Sequence, residues 1–289
     1  MNYFATLRFV IVTAVCFQSI CFQTASAAPQ NADAAIFNAT NKQQNPSVYE
    51  EQRPYKNGFA AVKRNRNWTF INAKGKEITA PIYESVQDFT EGGVAIVQQF
   101  GKRGVLKTDG KELVPCEYDR ADSESEGLIG VNKGGKWGFL DKNGKVKIAF
   151  NYDNKQYGSF VLGLAPVLKN GKWGYIDASA TEIIPLQFDY AWNFTKNGVA
   201  KVEQKGKFSL INIKGTVLTK QVYTAMNAFS DGLAMVVRDG KYGFIDEKGV
   251  EVIACQYDSA SDFTDGKAKV FDTKQTLLGT IDKTGKLSK

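Results

Sequence analysis

Apolar and polar residues alternate at period two in short runs that recur seven times along the chain. Each run opens on a glycine, at Gly58, Gly93, Gly127, Gly163, Gly198, Gly232 and Gly266. Two positions later stand Ala60, Ala95, Ile129, Ala165, Ala200, Ala234 and Ala268, and two further on Val62, Val97, Val131, Val167, Val202, Val236 and Val270. Side chains two apart share one face of a strand, so the pattern predicts a strand that buries this alanine and valine. A fixed period of roughly 35 residues marks an array of small units, each unable to bury its apolar face without its neighbours.

A second strand follows the valine. It opens on Trp68, Arg103, Trp137, Trp173, Phe208 or Tyr242, with glycine next at Gly104, Gly138, Gly174 and Gly243. Thr69 and Ser209 keep that next position small, and the last unit slips to Leu278-Gly279. Between the strands lies a turn ending in Gly-Lys, as at Gly135-Lys136, Gly171-Lys172, Gly206-Lys207 and Gly240-Lys241, and glycine supplies the positive φ that tight hairpins require. The second strand runs through Phe139-Leu140-Asp141, Tyr175-Ile176-Asp177 or Phe244-Ile245-Asp246 into another turn, closed by Gly144, Gly249 or Gly285 in the units that keep it. A third strand follows, as at Glu182 to Pro185, and then a Tyr-Asp step (Tyr118-Asp119, Tyr152-Asp153, Tyr257-Asp258) that begins a fourth.

These columns, Gly-Lys-Trp-Gly-Phe/Tyr-Ile/Leu-Asp above all, resemble the bacterial WG-repeat family, named for the pair seen whole at Trp137-Gly138 and Trp173-Gly174. The resemblance spans residues 46–287 and departs at Arg103, Phe208, Tyr242 and Ala180. It implies an interaction module of bacterial envelope or secreted proteins and carries no catalytic set.

The expected fold is all-β: a seven-bladed β-propeller of ~35-residue units, with an open β-meander solenoid as the alternative. The chain enters the array at an orphan Pro46-x-x-Tyr49-Glu50 step and ends at Leu287 without its own Tyr-Asp step. That phase predicts a ring in which the N-terminal piece completes the last unit. Pro166, lacking an amide donor inside a first strand, predicts a free edge there, as on the innermost strand of a blade.

The N-terminus has a different character. Arg8 precedes an apolar run from Phe9 to Phe22 that ends in Ala25-Ser26-Ala27, the layout of a cleaved signal peptide. The domain reading is therefore 1–27 signal peptide, 28–45 flexible leader and 46–289 seven repeats. It implies an exported protein, in the periplasm, at the cell surface or secreted, with no integral membrane segment in the mature chain. The hydrophobic content of 43% suffices for a core, and the formal charge of +7 is an ordinary solubility device that also suits acidic envelope surfaces.

Cysteine and histidine usage narrows the chemistry. Beyond the leader only Cys116 and Cys255 remain, in the same column of the second and sixth repeats. Four repeats separate them, well beyond the roughly 4.4–6.8 Å between Cα atoms that a disulfide bridges, so both read as free, packed thiols. The chain has no histidine, which removes Ser-His-Asp and Cys-His arrangements and the commonest metal ligand. Asp141, Asp177, Asp246 and Asp282 recur at one turn position where Asn72 and Asn212 replace them, as a turn role allows and an acid-base role does not. Neither cofactor nor metal is expected.

Candidate binding residues come from two places. The in-register Trp68, Trp137 and Trp173 read as core between units, since burying a tryptophan removes roughly 200 Å² from water. Trp192 falls outside that column, in Phe188-Asp189-Tyr190-Ala191-Trp192-Asn193-Phe194. Tyr190, Trp192 and Phe194 are thus candidates for a sugar or peptide platform, with a locally enlarged core as the other reading. The lysines Lys102, Lys136, Lys172, Lys207 and Lys241 project from equivalent turns, either as a row for an anionic polymer or as solvated turn charges. The function expected is a non-catalytic, monomeric scaffold for a protein or a cell-wall or envelope glycan, with no nucleic acid as partner. The alternative is a propeller hydrolase or lyase acting on a glycan or peptide.

Overall fold

The structure, a computed structural model, describes residues 48–153 and 158–288. The signal peptide and leader expected at residues 1–45 lie outside the described residues. The repeat region, Ser47–Lys289, forms one compact unit.

Seven antiparallel sheets follow one another along the chain, and the described residues contain no helix. Sheet 2 shows the full plan: a short entry strand Ser85–Val86, a hairpin of Val94–Gln99 and Lys102–Lys107, and an outer strand Glu112–Tyr118, paired in chain order. Sheets 3, 6 and 7 repeat the plan with Arg120–Ala121 to Val146–Tyr152, Ala225–Ser230 to Glu251–Tyr257, and Ser259–Ala260 to Leu287–Ser288. Sheet 4 shows Ala165–Lys169, Lys172–Ile176 and Glu182–Phe188, with its entry segment partly outside the described residues.

Sheets 1 and 5 break the plan in an instructive way. Each has an entry strand and a hairpin (Glu51–Gln52, Phe59–Arg64, Asn67–Asn72; Tyr190–Ala191, Val199–Gln204, Lys207–Asn212). Their outer strand is reduced to isolated bridges, Trp68 with Tyr83 and Ile71 with Glu77, Phe208 with Tyr223 and Ile211 with Val217. In the regular sheets the outer strand bulges across the glycine of the second strand: a Cβ on Gly174 would stand 2.5 Å from the Ile184 carbonyl oxygen and 2.8 Å from the Leu186 nitrogen. Only glycine leaves room for that crossing. The two sheets that carry Thr69 and Ser209 in its place are the two whose outer strand is interrupted. Thr69 turns this to use, its hydroxyl donating to the Thr79 carbonyl at 2.8 Å.

The turns form as expected. In sheets 1 to 6 both loop residues of the hairpin have positive φ, as at Asn170 (52°) with Gly171 (75°) and Asp239 (52°) with Gly240 (74°), the primed turn that matches strand twist. The repeated aspartates cap the next turn: Asp177 Oδ1 accepts the Ser179 and Thr181 amides at 2.8 Å, and Asn212 does the same for Lys214 and Thr216 at 2.9 and 3.0 Å. Backbone donors hold the Asp177 carboxyl below its ordinary range. The hairpin connection of sheet 7, between Lys267–Phe271 and Leu277–Asp282, is longer than in the other sheets and borrows the same cap, Asp272 Oδ1 accepting the Lys274 and Thr276 amides at 2.9 and 2.8 Å.

Neighbouring sheets bury one another's faces. Ala95 and Val97 join Trp68, Phe70 and Leu106 in a core between sheets 1 and 2, whereas Ile96, Val105 and Val114 point the other way into sheet 3. Trp68, Trp137 and Trp173 are 7%, 5% and 4% exposed, core as the column predicts. Polar clamps reinforce the seams: the Ser125 and Ser230 hydroxyls donate to the Phe160 and Phe263 carbonyls of the following sheet, both at 2.6 Å.

The Tyr-Asp step is the boundary between sheets, and this corrects the expected clasp. Tyr118 ends the outer strand of sheet 2, Asp119 links, and Arg120 enters sheet 3. Tyr49-Glu50 is therefore the entry to sheet 1: the Glu50 amide donates to Lys63 at 2.8 Å, and Glu51–Gln52 pair with Lys63 and Val62. The N-terminal piece completes its own sheet, and sheet 7 supplies all four of its strands. The same shift places Pro166 in the second position of its sheet, where Asp153 donates to the Leu168 carbonyl at 2.7 Å; the inner edge belongs to the entry strands.

Candidate functional site

The lysine row and the aromatic platform separate in the structure. Lys102, Lys136, Lys172 and Lys241 each bond an aspartate of the Tyr-Asp step, Asp119, Asp153, Asp189 and Asp258, at 2.5 Å for the last two. The same carboxylates reach the next hairpin, Asp119 accepting the Gly134 amide at 2.8 Å and Asp153 the Asn170 amide at 3.0 Å. These lysines act as clamps between sheets, their charge neutralised at the surface. Lys207 differs because its step is Tyr223-Thr224, with no acid.

The aromatic cluster opens a real cavity. Between sheets 5 and 6 lies a pocket of about 450 Å³, lined by Tyr190, Trp192, Asn193, Lys201, Asn227 and Phe229 among others. Trp192 follows the entry strand of sheet 5, in a column otherwise held by Arg53, Gln87, Asp122, Asn227 and Ser261. A half-buried indole thus replaces a polar rim residue. It packs against Tyr190 with ring centroids 4.2 Å apart and faces Phe208 at 6.2 Å, while its carbonyl accepts the Tyr175 hydroxyl at 2.7 Å. Its backbone is fixed while its ring borders open space.

Phe194, the third aromatic candidate, does not reach the pocket. It is 3% exposed and packs on Tyr175 at 4.8 Å, in the column of the equally buried Phe89, Phe160 and Phe263. Phe229 is the partly exposed phenylalanine of that column, and it lines the cavity.

Lys201 is the residue that sequence reading passed over. Its column otherwise holds Ala61, Ile96, Gly130, Pro166, Met235 and Lys269, and most of these face the following sheet. A signal was present, since Lys201 is the one lysine of that column in a repeat with another repeat after it, where the other positions are apolar or glycine. Its ammonium donates to the Met226 carbonyl at 2.8 Å and stands 4.0 Å from the Trp192 ring centroid and 5.7 Å from that of Phe208. Burial pulls its pKa below the ordinary lysine value, with Glu203 on the same strand opposing from a distance. Asn193 accepts the Ser159 amide at 3.2 Å through its side-chain oxygen, and Asn227 donates to Asp262 at 3.0 Å. The pocket therefore offers aromatic faces, an amide of each polarity and one cation.

A second, polar cleft of about 280 Å³ lies between sheets 2 and 3, lined by Gln87, Arg103, Asp122 and Ser159 among others. Arg103 stands there in place of the column tryptophan, and burial pushes the Asp122 carboxyl up to about 7 against the influence of Arg103 and Arg120. Cys116 and Cys255 are free thiols in equivalent positions, each Sγ 4.0 Å from a backbone carbonyl, of Val97 and of Val236; burial raises Cys116 to about 11. Among the described residues no helix is long and apolar enough to cross a membrane, and no three His, Cys, Asp or Glu side chains converge as a metal site would require.

Successive three- and four-stranded meanders stacked face to face, with a ligand-sized opening at one seam, define a β-repeat protein of propeller type. The chain belongs to the WG containing repeat family, which matches residues 68–102, 104–137, 137–173, 173–208, 208–242 and 242–271. No curated protein matches it in sequence. In structure it is similar to a eukaryotic initiation factor at a TM-score of 0.50 and 11% identity, covering 76% of this chain and 72% of that one. It is also matched to Hsv2p of Kluyveromyces lactis, at a TM-score of 0.43 and 9% identity over 82% of this chain and 93% of the other.

Proposed function

We propose that this chain is an exported, non-catalytic scaffold that binds a cell-envelope glycan through the pocket between sheets 5 and 6. The observation that carries this reading is Trp192: an indole at a rim position that is polar in the other described sheets, half-buried, backed by Tyr190 and bordering a cavity of about 450 Å³. A sugar ring presents an apolar face to an aromatic and hydroxyls to amides, and Trp192, Asn193 and Asn227 supply both. Regular turns and ion-paired lysines elsewhere leave this seam as the most distinctive surface.

The test is binding of the protein to purified envelope polysaccharides, with and without Trp192→Ala. The expected result is at least a tenfold loss of affinity with a melting temperature changed by no more than about 3 °C, because the ring is half-buried. Binding indifferent to the substitution would reject the pocket. Glycan turnover that disappears in Asp122→Asn would overturn the non-catalytic reading in favour of a hydrolase or lyase.

A further inference from the structure

Lys201 gives the pocket a chemical polarity that the aromatic faces alone do not. Among the described residues that line the cavity there is no carboxylate, and Lys201 forms no ion pair. Its direct partners are a neutral carbonyl and two aromatic faces, and the one carboxylate that acts on it, Glu203 of the same strand, does so through space and does not line the cavity. This contrasts with the hairpin lysines of the same protein, four of which are each matched to an aspartate. A partly desolvated ammonium beside neutral groups leaves a local positive potential, and in a medium of reduced dielectric an anion placed near it gains far more than it would in water. The Met226 carbonyl takes one of its three donors, so others remain for a ligand.

Resting on the glycan reading above, we infer that the pocket selects a sugar ring that carries a carboxylate, a uronic acid residue within a polysaccharide. The ring lies against Trp192, its hydroxyls meet Asn193 and Asn227, and its carboxylate meets Lys201. A phosphate ester has the same sign of charge but carries nearly two charges at neutral pH, and the cavity offers a single ammonium to meet them, which matches the one charge of a carboxylate.

Three uronate trisaccharides (gluco-, galacto- and mannuronate) are titrated into the protein, each beside its carboxyl-reduced neutral counterpart, with inorganic phosphate as a further probe. At least one uronate should bind tenfold or more tightly than its reduced partner, and that advantage should shrink as salt is raised. Lys201→Met should bring the acid sugar down to the affinity of the neutral one and leave the neutral one within about twofold. Methionine is tolerated in that column, since Met235 occupies it one repeat later. Equal binding of acidic and neutral sugars, or equal losses of both in Lys201→Met, would sink the carboxylate inference while leaving the glycan pocket standing. Phosphate competing more strongly than any uronate would overturn it in favour of a phosphate site. Binding of neither sugar, acidic or neutral, would reject the glycan reading and this inference together.

Discussion

A single side chain can change the character of a seam, and departures from the repeat at two seams do so in opposite senses. At the seam of sheets 5 and 6, a rim position becomes Trp192 and an apolar column position becomes Lys201, which opens an aromatic pocket with a cation. Near sheets 2 and 3, the column tryptophan becomes Arg103 beside Asp122, which makes a polar cleft. Asp122 should imprint itself on the pH dependence of stability. Burial raises its carboxyl from an ordinary value near 4 to about 7. Between those values the folded protein holds a proton that the unfolded chain has released, so stability falls as pH rises through that window and is flat above it. The carboxyl keeps some contact with solvent, so the loss between pH 5 and pH 8 should be on the order of 1 kcal/mol rather than the full value of the shift. Urea melts at the two pH values should show this difference in the wild type and lose it in Asp122→Asn, which holds the neutral shape at every pH. A difference that survives in the variant would assign the effect to another group.

At the scale of the strand, the glycine of the Trp-Gly pair has a mechanical role that is visible only in three dimensions. The sequence shows that it is small, and the hairpins, primed turns and aspartate caps are all readable from composition and spacing. The outer strand bulges over that glycine because the second strand pairs with it in a shifted register, Trp173 with Phe188 but Tyr175 with Ile184. No column in the sequence announces a bulge. Gly174→Ala should therefore cost about 3 kcal/mol or more, because the new methyl meets backbone atoms that have no way to yield. Denaturant melts give the magnitude, and amide exchange locates it: protection should drop along Glu182–Phe188 before the hairpin of sheet 4. A neutral substitution would show that the bulge relaxes freely. The lysine clamps were half legible in the same way. Lys172 and Asp189 are each prominent in their own column, but nothing in a linear period says that the turn of one sheet meets the link to the next.

At the scale of the whole molecule, the period was legible and its phase was not. A repeat of roughly 35 residues can be cut anywhere, and only hydrogen bonding shows that the cut falls at the Tyr-Asp step. That phase decides what happens at the ends of the array. Sheet 7 carries Lys269 and Thr280 at the positions where sheet 2 presents Ile96 and Val105 to sheet 3, so that face of it is more polar. Sheet 1 is the opposite case, because Ala60, Val62 and Ile71 form an apolar face that, among the described residues, is covered by side chains of its own entry segment. Tyr49 and Tyr55 pack on it, and their hydroxyls are tied down to Glu77 at 3.1 Å and to the Asn72 carbonyl at 3.3 Å. Tyr49 thus takes the place that Tyr83 and Tyr223 hold at internal seams, where each reaches a glutamate of the next sheet, Glu112 and Glu251. Terminal units of repeat arrays need such a cover, since an uncovered apolar face favours fraying and association. The double substitution Tyr49→Ala with Tyr55→Ala should cost about 2–4 kcal/mol, less than two fully buried aromatics because both rings are partly exposed. The loss should be local, with amide protection falling in Phe59–Arg64 and Asn67–Asn72 while Lys172–Ile176 in the middle of the array is unchanged, since stability in a stacked array passes between neighbours. Uniform loss of protection across all seven sheets would mean that the array unfolds as one unit and that the first sheet is not an independently fraying end.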